Sequence, residues 1–271
     1  MQTKRGTRFT VMVVLCLLFL LSRILDLCLF TEPGTSFVTL GPAWLRYLPA
    51  LLLAVLSYLV SRGVTAHPLE LTRSNRPLFF FMSATGIFLI LAGICSLPTL
   101  LSPTGGIFAM LDALLPVMAG VWFVLFGWQA LSPTNEEKDL PHAGIALLAL
   151  AFFAWLAVKR FVIAPASVVR LGNTFRVLSV AAALLFLADL FKVFLTPNQP
   201  YGRGLFASGF NAFLLCSCCE FPQTVFDALH GTAALSDLAL GIAMGALGLC
   251  GLLCARACCG AEAPTSSELL S

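Results

Sequence analysis

Apolar residues fill this chain in long unbroken runs, and proline, glycine and charge mark the gaps between them. Eight runs can be read, over roughly 9–30, 44–61, 78–97, 107–131, 143–163, 174–195, 205–221 and 235–256. About 20 apolar residues in a helix cross a ~30 Å hydrocarbon core, so each run predicts a membrane-spanning helix. The runs are continuous, whereas a membrane β-barrel needs alternating apolar and polar positions. Turn-forming segments separate them: Glu32-Pro-Gly, Ser102-Pro-Thr-Gly-Gly106, Ser132-Pro-Thr-Asn135 and Thr196-Pro-Asn-Gln-Pro200. The seventh run is the weakest, being short, rich in Ser, Cys and Asn, and closed by Glu220. Read alone, it fits a re-entrant segment as well as a crossing. At the N-terminus, Lys4, Arg5 and Arg8 precede an apolar run that continues through Arg23 and Asp26 with no small-x-small cleavage site. That pattern predicts an uncleaved first helix rather than a signal peptide.

The two halves share a frame of polar and proline positions. Arg76-Pro-Leu-Phe leads to Cys95-Ser-Leu-Pro98, and Arg203-Gly-Leu-Phe leads to Cys219-Glu-Phe-Pro222. At about the same distance beyond these prolines stand Asp112 and Asp237, each near the start of the next run. Upstream, Trp44-Leu-Arg46 resembles Thr174-Phe-Arg176, and Arg23 falls where Arg160 does. These matches predict an all-α bundle of about eight spans in two four-helix repeats, 1–131 and 143–256, followed by a short cytoplasmic tail at 257–271. An even number of spans per repeat makes the halves parallel, related by a pseudo-twofold axis along the membrane normal. The seventh run then crosses fully, as the third does.

Composition agrees with a chain that lives in lipid. Of 271 residues, 59% are hydrophobic and only 11% charged, against about 25% charged in soluble domains. The mean hydropathy is +0.95. A net charge of +3 gives no footprint for nucleic acid. The basic N-terminus and Arg62, Arg73 and Arg76 place those segments in the cytoplasm by the positive-inside rule. Both termini are then cytoplasmic, in a multi-pass protein of a plasma-type membrane. Lys159, Arg160, Arg170 and Arg176 fall on the outer side in this topology and contradict a naive count. Arg160 and Arg176 share the register of Arg23 and Arg46, which points instead to intramolecular partners.

Charges within a bilayer cost about 2.5–3.5 kcal/mol each near its centre on insertion scales, and they usually pair or face water. Arg23, Asp26, Arg46, Asp112, Arg160, Arg176 and Asp237 all fall in the outer third of their helices. They predict an outward-facing polar cavity for a small polar or anionic solute, since the planar arginine fork suits a carboxylate or phosphate. The bland alternative is ion pairing that staples neighbouring helices, or arginines that reach up to the headgroups. Asp189 and Lys192, near the inner face, read as an i,i+3 pair, with a proton-relay role for Asp189 as the sharper alternative.

The eighth run repeats small residues at Gly241, Gly245, Gly248 and Gly251, a surface for close helix approach. Ten cysteines are present, mostly inside apolar runs, where a thiol packs as a small hydrophobe. Cys250, Cys254 and Cys258 share one helical stripe, which cannot close a tetrahedral metal site. Cys258 and Cys259 at the cytoplasmic edge weakly suggest acylation. His67, His142 and His230 are isolated, and no nucleotide loop, zincin helix or nucleophile elbow occurs, so no cofactor is expected. The favoured reading is a transporter-like or solute-binding membrane subunit, in contact with lipid and open to partnership with other membrane subunits. A non-catalytic scaffold, sensory or assembly component is the alternative. An intramembrane enzyme on a lipid-linked substrate is the third reading, weakened by the lack of a nucleophile or metal set beside the aspartates.

Overall fold

The computed structural model describes residues 2–32, 35–62, 64, 76–100, 106–131, 142–163, 169–196 and 201–260. His67, Arg73, most of the turn-forming segments and nearly all of the tail lie outside the described residues. Among those described, eight helical spans are long and apolar enough to cross a membrane. They are Gly6–Phe30, Ala43–Val60, Arg76–Leu100, Ile107–Gln129, Gly144–Val162, Leu171–Leu195, Gly202–Leu229 and Leu235–Cys259, numbered one to eight below. The chain is an all-α polytopic bundle, and this is the architecture of a multi-pass membrane protein. The β features among the described residues are the isolated bridges Thr31–Val38 and Phe37–Arg170. The second ties the loop after span one to the loop before span six, so those loops share one end of the bundle.

Burial separates centre from rim. In its most apolar window span seven is 72% buried and span eight 61%, against 11% for span two. Leu51, Leu52, Val55 and Leu59 of span two face outward, as expected of a surface whose solvent is lipid. The interior is aromatic, with Trp122 packed edge-to-face on Phe123 and Phe191. Spans three and four pack against each other, as do seven and eight, and span eight also packs on span three. Both close pairs cross at facing glycines. A Cβ on Gly86 would sit 2.5 Å from the Gly120 carbonyl oxygen, and one on Gly251 would sit 2.6 Å from that of Gly209. Gly241, Gly245 and Gly248 face Thr224, Phe221 and Ser217 of span seven. The small-residue stripe of span eight is therefore spent on packing within the chain.

Span seven differs most from its sequence reading. It runs as an α-helix over Gly202–Ala212, a π-helix over Phe213–Glu220 and an α-helix over Phe221–Leu229. Pro222 does not end it. The proline sits in the first turn of the last segment, where a missing N–H and a fixed φ are tolerated. Residues 222–229, read as a gap in the sequence, thus extend the helix, and Glu220, Gln223 and Asp227 lie inside it. Span three likewise continues beyond Cys95, through the short helix Leu97–Leu100 that contains Pro98.

Candidate functional site

Buried charge collects at the end of the bundle where spans one, five and seven finish and spans two, six and eight begin. Arg23 of span one is only 3% exposed. Its Nη1 donates to Asp26 Oδ2 at 2.6 Å and its Nη2 to Gln223 Oε1 at 3.0 Å, while the guanidinium lies over the Phe175 ring. Arg46 holds the other oxygen of Asp26 and donates to the Leu40 carbonyl at 2.5 Å. Gln223 carries the network onward. Its Nε2 reaches Asp227 Oδ1 at 3.0 Å and Ser36 Oγ at 3.3 Å, and Asp227 Oδ2 accepts from Arg176 Nη2 at 2.8 Å. Arg160 donates to the Arg176 carbonyl at 2.6 Å and to Glu220 Oε1 at 2.5 Å. Ser179 Oγ donates to the second oxygen of Glu220.

The physical logic is charge satisfaction in a dry place. A buried ion is tolerable only when its charge is matched and its remaining donors or acceptors are bonded. Glu220, 1% exposed, meets that condition with an arginine and a hydroxyl. The π-helical segment that widens span seven ends on Glu220 itself, and π segments recur at functional sites. Relative to an uninterrupted α-helix, i→i+5 bonding winds fewer degrees per residue, so the segment rotates everything beyond it about the helix axis. That rotation decides which of Glu220, Gln223, Thr224 and Asp227 meet spans one and six.

Of the residues singled out in the sequence, Arg23, Asp26, Arg46, Arg160 and Arg176 join this one network. Asp112 stands apart, accepting from Lys159 Nζ at 2.7 Å and from Trp155 Nε1 at 2.9 Å. Asp237 lies exposed in the first turn of span eight, and no cation among the described residues bonds it. The four basic residues expected on the outer side from the sequence all have partners within the chain: Lys159 on Asp112, Arg160 on Glu220, Arg176 on Asp227 and Arg170 over the Phe37 ring. Asp189 pairs with Lys192 at 3.2 Å, far along span six from the network.

Three clefts open beside these charges. One, of about 140 Å³, is lined by Lys159, Arg160, Arg176, Glu220, Thr224 and Asp237. A second, of about 390 Å³, shares Lys159 and adds Cys95, Ser96 and Asp112. The third, of about 280 Å³, lies at Arg23, Asp26 and Arg46. Arg176 and Asp237 therefore share a cleft, Asp112 is separated from them by Lys159, and Arg46 lines the third. Glu220, Gln223 and Asp227 are the residues that the sequence reading left out of the site. Their signal was present: positions i, i+3 and i+7 mark one helical face, visible once the helix is allowed through Pro222.

The fold and the site together define a class, a multi-pass helical membrane protein with a paired-charge network at one end of the bundle. No protein family matches the chain, and no curated protein or solved structure matches it.

Proposed function

We propose that the protein is a transporter-like or solute-binding membrane subunit whose site is the cleft between spans five, six, seven and eight. In this reading both termini are cytoplasmic, the cleft faces outward from a plasma-type membrane, and its occupant is a small polar solute. The observation that carries it is the convergence of Lys159, Arg160, Arg176 and Asp237 on one cleft of about 140 Å³. A single water needs only about 10–15 Å³ by a comparable measure, so there is room for several heavy atoms. A second reading, a non-catalytic scaffold, draws support from the pairing of Lys159, Arg160 and Arg176 with carboxylates of the chain. A solute site must be wet, and a staple need not be.

Asn173 lines the cleft and takes no part in the ion pairs, so Asn173→Cys reports on water access. In a background with the exposed Cys28 and the half-buried Cys95 replaced by serine, we expect a membrane-impermeant thiol reagent added outside intact cells to modify it, leaving the buried Cys216, Cys218 and Cys219 untouched. Reaction from the cytoplasmic side alone, or none from either side, would favour the scaffold.

A further inference from the structure

We infer that the solute is a small zwitterion, with an ammonium group for Asp237 and an anionic group for the spare donors of Arg176 and Lys159. This rests on reading the cleft between spans five to eight as the solute site. The first step is a count of charge. Lys159 is matched by Asp112, Arg160 by Glu220 and Arg176 by Asp227. One lining charge is left over, the carboxylate of Asp237. A purely anionic solute would bring a second negative charge to a cleft whose cations are already neutralised, and like charges at close range repel.

The second step counts donors. A guanidinium has five N–H groups and an ammonium three. Among the described residues, the Arg176 side chain spends one bond, on Asp227, and Lys159 one, on Asp112. Both side chains keep N–H groups free to meet a carboxylate or phosphate. A purely cationic solute would answer Asp237 and leave those donors without an acceptor. The rest of the wall sets Leu156 and Leu240 beside the uncharged Asn173 and Thr224, and the two leucines suit the hydrocarbon part of a small molecule. An ammonium and an anion a few bonds apart satisfy all three features. Two sources carry that chemistry: a free α-amino acid, and the ethanolamine phosphate headgroup of a phospholipid.

The test uses the purified full chain in phosphatidylcholine nanodiscs, whose lipid has no N–H on its cationic group. The twenty common α-amino acids are titrated beside acetate, phosphate and ethylamine, with binding read by thermal shift and calorimetry. In a second arm phosphatidylethanolamine replaces the lipid, and retained adducts are read by native mass spectrometry. We expect one arm to bind. If it is the amino-acid arm, N-acetylation or esterification of the ligand should weaken binding about tenfold or more, as loss of a charge-assisted bond does. In either arm Asp237→Asn should have a similar effect, with Asp237→Glu milder and both variants melting like the wild type. Binding in the lipid arm alone assigns the headgroup as the source. Acetate or phosphate binding as tightly as any zwitterion, unweakened by Asp237→Asn, overturns the zwitterion and keeps the site. No binding in either arm overturns both.

Discussion

At the scale of single residues, the buried carboxylates decide what the arginines can do. Arg160 and Glu220 are 13% and 1% exposed, and each is the other's main compensation for leaving water. Removing one partner strands the other. Glu220→Ala should therefore destabilise the protein by about 3–5 kcal/mol, measured by thermal unfolding in detergent. Replacing both at once, Arg160→Met with Glu220→Leu, should recover much of that loss, because no uncompensated charge remains. A single variant that melts like the wild type would show that the pair holds nothing together. Arg23 gives the same logic a longer reach: Gln223 links it to Asp227 and so to Arg176, joining span one to spans six and seven.

At the scale of elements, two devices set the positions of these residues. The π segment of span seven turns the polar face of 220–227 toward spans one and six. The glycine crossings let spans seven and eight approach until backbone touches backbone. Gly251→Ala would drive a methyl group to 2.6 Å from the Gly209 carbonyl oxygen, and neither backbone can yield without moving the span. A cost of about 1–3 kcal/mol is expected, read as a lower unfolding temperature. Gly144→Ala, whose Cβ would meet nothing within 4 Å, is the control and should melt at or slightly above the wild type. Equal melting of the two variants would mean that span eight does not lean on span seven at that crossing.

At the scale of the whole molecule, the halves interlock. Span eight packs on span three, and span one on the π segment, so each half covers apolar surface of the other. We propose that 1–131 and 143–256 are also parallel repeats, a reading that the two glycine-crossed pairs support. Interlocked halves make a direct prediction: chains 1–135 and 136–271, co-expressed as separate polypeptides, should co-purify from membranes. Each expressed alone should accumulate poorly, because its inner face would be left to lipid. Stable accumulation of either half by itself would contradict the packing.

The sequence by itself determined the class of fold, because crossing a bilayer demands about 20 apolar residues whatever their neighbours are. The same energetic rule limited Arg23, Asp26, Arg46, Arg160 and Arg176 to a polar cavity, an ion partner or the headgroup layer. Which partners they took was decided only in three dimensions. Glu220, Gln223 and Asp227 belong to the network through a π turn and a tolerated proline, local geometry that the pattern of apolar residues does not encode. Asp112 and Asp237 follow Pro98 and Pro222 at similar distances along the chain, yet one meets Lys159 and the other meets no cation among the described residues. A side chain's reach and the face of the neighbouring helix set that difference, and both come from packing.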